Sequence, residues 1–217
     1  AALSRRIHGE RWRGVLGLAL MAGAVAEVPS ANLILTRCPV AFDDAPEFTA
    51  DVPYTRLGEK LPEAACVDVF DCAGERIDRL DAPACVGRLT ILCAFDPTCC
   101  VCKRFALPRL EQLWASKAGN RQCAVVALGR NCDLDQIQNF RKECEDAALA
   151  GDKHMVSLRM PMAPDPSGLA FRSLAEALVP RFYLLGPDAT ILYQSAGFDE
   201  DEFGTLEYCL EQELMYL

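Results

Sequence analysis

A chain of 217 residues, 51% hydrophobic and 24% charged, has the length and balance of one well-buried domain with an extension. Its net charge of −9, with no Lys/Arg cluster beyond the first dozen residues, removes the electrostatic footprint of a nucleic-acid binder. Only two histidines occur, His8 and His154, and neither belongs to a spaced ligand pattern. A zinc or copper site would have to be built almost wholly from thiolates, and no second closely spaced cysteine pair completes a four-ligand set. No metal is expected.

Residues 1–26 open with Arg5, Arg6, Arg11 and Arg13, followed by thirteen apolar residues from Gly14 to Ala26. A basic start, a short apolar core and the small residues Ala24-Val25-Ala26 have the pattern of an export signal, too short for a membrane span. The other reading is an ordinary buried apolar helix. The export reading places the protein in the periplasm or cell envelope, with membrane association through the N-terminus as an option, and the helix reading leaves it cytoplasmic. Residues 27–59 read as an arm or linker, polar and proline-bearing towards their end (Pro46, Pro53), and residues 60–217 as the folded domain.

Val67 to Phe70, then Cys72-Ala73-Gly74-Glu75, then Arg76 to Leu80 read as strand, glycine turn and short strand. Leu89 to Phe95 is an apolar run of strand length, and a helix from about Cys100 to Lys117 follows, with Leu107, Leu110, Leu113 and Trp114 on one face. Cys123 to Leu128 is a continuous apolar run, as expected of a buried strand in a parallel pair. Asp133 caps a helix whose apolar face is Leu134, Ile137, Phe140 and Cys144. Met155 to Met160 is expected as a further short strand and Leu169 to Leu178 as a helix. Phe182 to Leu185 and Thr190 to Tyr193 form a hairpin around Gly186-Pro187-Asp188-Ala189. A last helix presents Phe203, Leu206, Leu210 and Leu214. Alternating strands and helices that close with a hairpin and a helix give an α/β domain with a mixed sheet.

The most informative stretch is Phe95-Asp96-Pro97-Thr98-Cys99-Cys100-Val101-Cys102, a Cys-x-x-Cys pair between a strand and a helix. Unpaired N–H groups and the positive dipole end at a helix start stabilise an anion, so a thiolate at Cys99 forms more readily than at a free thiol. Cys102, three residues on, shares its side of the helix and can close a disulfide with it. The pair alone is also compatible with half of a metal site or with two core cysteines. Twelve cysteines occur in all. Most of the others are expected to be small buried hydrophobes, and a regular disulfide framework is not expected in a chain of this length.

The order of elements resembles the thioredoxin superfamily, specifically its TlpA/ResA-like branch of envelope thiol–disulfide proteins, over about residues 60–215. The resemblance rests on Cys72 to Glu75 between two short strands, on Ala94 to Cys99 with an aromatic residue before the first cysteine, and on Asp165-Pro166-Ser167-Gly168 opening a helix. It rests also on Val179-Pro180 with the segment to Leu192, and on Ala196-Gly197 after the last strand. It implies a thioredoxin-like fold, a central mixed β-sheet flanked by helices with an N-terminal β-hairpin extension. It implies a cis Pro180 lying against the cysteine pair, with Val179 offering its backbone to an extended substrate; the alternative for Pro180 is a plain helix stop. The sequence departs from the family in three places. Pro108 stands six residues after Cys102 where members usually have five, so one residue must be absorbed as a bulge in the first helical turns, unless Cys100 takes part in the pairing. Arg181 stands where Thr is common, and Cys93 stands where some thioredoxins carry a buried acid.

The function implied is thiol–disulfide oxidoreductase. Cys99 exchanges with protein dithiols or disulfides, Cys102 resolves, and Pro180 and Val179 position the substrate. Cys100, Arg181 and Phe95 modulate the site, with Phe95 and Trp114 shaping or supporting its surface. A guanidinium at Arg181 beside Cys99 would favour the thiolate. No organic cofactor is needed, because electrons come from a redox partner protein. Two other readings are a peroxiredoxin-type peroxidase, whose Pro-x-x-x-Thr-x-x-Cys pattern is not matched from Cys99, Cys100 or Cys102, and a redox-inert or thiol metal-binding module of the same fold.

Overall fold

The computed structural model describes residues 56–80 and 88–217. These belong to one compact unit, Pro46–Leu217. The stretch read as an export signal or apolar helix, and most of the stretch read as an arm, lie outside the described residues. Among the described helices none is long and apolar enough to cross a membrane.

Seven strands form one mixed sheet. β1 (Asp68–Phe70) and β2 (Arg76–Arg79) make the expected hairpin, turned by Gly74 at φ +85°. β3 is Leu89–Phe95, every residue of it buried. β4 (Cys123–Arg130) lies parallel to β3, and β5 (Met162–Asp165) parallel to β4. β6 (Arg181–Leu185) runs antiparallel to β3, and β7 (Ile191–Ala196) closes the hairpin on β6. The order across the sheet is β2-β1-β5-β4-β3-β6-β7. β3 and β4, buried on both faces, are the continuous apolar runs that a central parallel pair requires.

The side chains of β3 alternate between two cores. Leu89, Ile91, Cys93 and Phe95 join the face covered by α1 (Leu107–Ser116), α2 (Leu134–Leu149) and α4 (Glu200–Leu214). Leu92 and Ala94 join the opposite face, under α3 (Leu169–Leu174) and a 3-10 turn at Glu63–Ala65. The period-2 pleat of a strand produces this split. α2 starts where expected, in a capping box between Asp133 and Gln136 that satisfies two backbone N–H groups.

Two expected elements differ. Met155 to Met160 is not a strand; the strand is β5, further on. The backbone of 158–160 is gripped by side chains instead of a ladder. Arg141 of α2 donates to the carbonyls of Leu158 and Met160, the latter at 2.8 Å, and Glu111 of α1 accepts from the amides of Arg159 and Met160 at 2.9 and 3.0 Å. The helix expected over Leu169 to Leu178 ends at Leu174, with Ala175 already extended. Its first turn is held by the buried Asp165 carboxylate, which accepts from the amides of Ala170 and Phe171. The chain then leaves the helix on the way to Val179-Pro180, and the residue before a proline avoids helical backbone. The described end of the arm is not loose: residues 58–61 pair with 189–191 through Gly58, Glu59 and Leu61, and Lys60 bridges Thr190.

Candidate functional site

The site forms at the C-terminal end of β3, where Asp96 turns the chain. The Asp96 carboxylate accepts from the amide and hydroxyl of Thr98 at 2.9 and 2.7 Å, and the Asp96 carbonyl accepts from the amide of Cys99. Helical structure begins at Cys100. Cys99 therefore stands at the position that flanks a helix start, where a side chain usually accepts from an otherwise unpaired amide. Its sulfur takes that role, accepting from the Cys102 amide at 3.2 Å.

The electrostatics follow from this position. The Cys102 thiol donates to Cys99, the amides of Cys102 and Val101 add to it, and together they outweigh partial burial and the nearby Asp96 charge. The Cys99 thiol is lowered to about 7. Cys102 is wholly buried, and burial pushes its thiol well above the ordinary value, with its bond to Cys99 acting in the same direction. One sulfur is half-exposed and readily ionised; the other is enclosed and held as a thiol. Both are free in this structure.

Across from them the Val179–Pro180 peptide is cis, and the Cys99 thiol lies 3.8 Å from the Val179 carbonyl. Pro180 is held from behind, its carbonyl accepting from the Gly197 amide at 2.8 Å. Cys99, Cys102, Val179 and Pro180 are thus brought together from the start of the helical segment that begins at Cys100 and the loop before β6.

The extra residue before Pro108 is absorbed as expected. Cys102–Ala106 is a π-helical turn, its last bond running from the Leu107 amide to the Cys102 carbonyl, and α1 continues regularly from there.

Three other residues sit differently. Arg181 does not approach the cysteines. It pairs with Ala94 in the β3–β6 ladder, so its side chain shares the face of Ala94 and Leu92, opposite that of Cys93 and Phe95. There it is buried, its Nε donating to the carbonyls of Ala177 and Leu178 at 3.0 and 3.3 Å. The expectation that its charge favours the Cys99 thiolate is corrected: strand parity sends the guanidinium the other way. Phe95 is fully buried, its ring tilted against that of Phe140 with centroids 5.4 Å apart, so it lies beneath the site and not on its surface. Cys100 is disulfide-bonded, while Cys99 and Cys102 are both free. It takes no part in the Cys99–Cys102 pair.

Sequence reasoning did not find Phe105 and Phe198. Phe105 sits in the π-turn and Phe198 follows Gly197 directly; their rings stack at 6.4 Å, and His154 tilts against Phe105 at 5.9 Å. The surplus residue before Pro108 was the one sequence signal that this turn is unusual. Cys93 lies under the pair, wholly buried, with its thiol pushed far up by burial. No group of three or more His, Cys, Asp or Glu residues placed to hold a metal exists among the described residues.

No family model matches the chain, and no curated protein matches it. Solved structures do. A provisionally named protein disulfide isomerase from Bacteroides thetaiotaomicron is similar at 22% identity and a TM-score of 0.57, over 74% of this chain and 91% of that one. A provisionally named thiol:disulfide interchange protein, DsbE, from Chlorobium tepidum is similar at 20% identity and a TM-score of 0.54, over 74% and 96%. A thiol-disulfide oxidoreductase from Bacteroides fragilis is similar at 18% identity and a TM-score of 0.50, over 70% and 100%. The likeness establishes the thioredoxin-like fold, a central mixed sheet flanked by helices.

Proposed function

We propose that the chain is a thiol–disulfide oxidoreductase acting on protein dithiols and disulfides. The observation that carries this reading is the asymmetry of the two thiols: Cys99, accessible and lowered to about 7, against Cys102, buried and raised. In the reductive direction the Cys99 thiolate attacks one sulfur of a substrate disulfide. A Cys99–substrate disulfide forms, and the other substrate sulfur leaves as a thiolate. Cys102 then attacks the Cys99 sulfur. The Cys99–Cys102 disulfide forms, the mixed disulfide breaks, and the proton from Cys102 ends on the departing substrate sulfur. Two electrons pass from the cysteine pair to the substrate. The reverse sequence oxidises a substrate dithiol, and a dithiol protein or its disulfide completes the cycle. No organic cofactor enters either direction.

The Val179 backbone, facing Cys99 beside Pro180, serves as the docking edge for the substrate segment. The basic and apolar N-terminal stretch supports a location in the periplasm or cell envelope.

The test is to mix purified variants with a disulfide-bonded protein and analyse the products by mass spectrometry. Cys102→Ser is expected to accumulate a mixed disulfide through Cys99, and Cys99→Ser to accumulate none. Trapping through Cys102 in the Cys99 variant would reverse the roles. No trapping in either would remove the activity.

A further inference from the structure

The parallel ladder between β4 and β5 starts late. Ala127 is the first β4 residue with a β5 partner, Met162, so residues 123–126 of β4 have no β5 neighbour. The Ala127 amide bonds the Pro161 carbonyl at 3.0 Å, and there the ladder stops, because a proline has no N–H to return to Val125. A cavity of about 290 Å³ lies beside this length of β4, with Pro161 and residues 123–126 in its wall. Its place in a gap of the sheet explains why both faces line it. Val69, Leu80 and Val126 come from one core, Trp114 and Val125 from the other. The cavity is remote from the cysteines. Thr90, in its wall, stands about 16 Å along β3 from Phe95, and the cysteine pair lies beyond that far end of the strand.

Thr90 is the first sign of a ligand. It is 1% exposed, and its hydroxyl has no hydrogen-bond partner among the described residues. Register sets it beside Ala124, which also lines the cavity. A buried hydroxyl without a partner costs stability, and in a cavity wall it is an open donor to whatever enters. Charge is the second sign. Among the described lining residues Arg79, Arg88 and Lys117 are positive and Asp78 alone is negative, in a chain of net charge −9. Arg88 holds Asp78 at 2.8 Å, and Lys117 reaches Glu211. Arg88 stands two residues before Thr90, a spacing that puts both on one side of an extended chain. The rest of the wall is largely apolar. The volume is at the low end for ligand sites, which admits only a small molecule.

We propose that this cavity binds a small monocarboxylate with an apolar tail, the carboxylate held by the Thr90 hydroxyl and the Arg88 guanidinium and the tail covering Val69, Leu80 and Val126. Binding is non-covalent, and it is independent of the oxidoreductase reading.

The experiment uses the full chain carrying Trp12→Phe, which leaves Trp114 in the cavity wall as the single tryptophan. Octanoate, 1-octanol and sulfate are titrated separately at fixed ionic strength. The readouts are Trp114 emission and the melting temperature by circular dichroism. Octanoate is expected to saturate at one molecule per chain and to raise the melting temperature. 1-Octanol should bind about tenfold more weakly, since it lacks the charged partner for the hydrogen bonds, and sulfate, which lacks the tail, should leave both readouts unchanged. Thr90→Val keeps the shape of the side chain and removes the hydroxyl. It should weaken octanoate about tenfold and yet raise the melting temperature of the free protein, a combination that a merely structural Thr90 would not give. Arg88→Gln should weaken octanoate and leave 1-octanol as it was. The proposal is overturned by the absence of a saturable response to octanoate, by 1-octanol binding as tightly, or by sulfate matching octanoate. It is overturned equally by unchanged octanoate affinity in folded Thr90→Val and Arg88→Gln, or by a free Thr90→Val protein less stable than its parent. None of these readouts involves Cys99, so each failure leaves the oxidoreductase reading intact.

Discussion

Arg181 and Ala94 face each other across the β3–β6 ladder, and this pairing turns the guanidinium away from Cys99. The arginine is structural: it is buried and bonded to the carbonyls of Ala177 and Leu178, just before the Val179-Pro180 turn. Arg181→Met is expected to leave the pH profile of Cys99 alkylation unchanged and to lower stability by about 2–3 kcal/mol, since charged hydrogen bonds are lost and buried carbonyls are left open. Alkylation by a small neutral reagent and urea unfolding check both parts. An upward move of the Cys99 midpoint would return Arg181 to the site.

Cys99 alkylation should rise with pH through a midpoint of about 7. At pH 7 half of Cys99 would then be thiolate, against ~1% for a thiol at the unperturbed value. The sign for stability follows. A lowered value in the folded state contributes stability fully above the unfolded value of 9.0, and this is lost as pH falls through about 7. The largest cause of the lowering is the Cys102 thiol, so Cys102→Ala should move the midpoint up towards 9.0, leaving only the help of the backbone amides. A midpoint that stays in place would mean that the amides alone set it.

The π-turn gives a deletion test. Removing Arg104, an exposed residue within Cys102–Ala106, allows the turn to close as regular α-helix. One residue of α-helix turns the chain by about 100° and advances it about 1.5 Å. With α1 kept in place by Leu107, Leu110 and Leu113, the displacement falls on the cysteines. The expected result is a folded protein in which Cys99 no longer meets Val179 and exchange slows by about tenfold or more, because reacting groups must be held to within about 0.5 Å. Unchanged exchange kinetics would show that the wide turn is not needed to place Cys99.

Cys100 is the third sulfur in the motif and it is engaged elsewhere. Labelling the folded protein with iodoacetamide should modify Cys99 and leave Cys100 unlabelled until a reductant is added. Peptide mapping without reduction then identifies its partner. Labelling of Cys100 before reduction would contradict the disulfide.

Much of the fold was legible because it rests on local signals. β3 occupies the apolar run Leu89–Phe95 that the sequence delimits, and the helix after Asp133 starts with the cap its sequence offers. The hairpin at Gly74 follows from its turn residues, and the bulge before Pro108 is one of the two options that the resemblance implied. What was not legible depends on partners distant in sequence. The segment 158–160 has the composition of a strand, but Glu111 and Arg141 take its backbone groups, and neither is marked in the sequence as doing so. Arg181 follows Pro180 directly, yet which side of the sheet it faces is a matter of register with Ala94. Phe105 and Phe198 meet only once α1 and β7 are both in place. In the site, the cysteine pair and its proline could be read; the apolar surface around them could not.

The pairing of residues 58–61 with 189–191 has a consequence for how this domain can be cut. Open strand edges recruit strands from other chains. Gly58, Glu59 and Leu61 occupy the start of the β7 edge through three backbone bonds. A fragment begun at Lys60, where the sequence reading starts the folded domain, would keep the whole cysteine site and still bare that margin. Its expected fault is self-association, at a place far along the chain from the chemistry and invisible to any assay of Cys99.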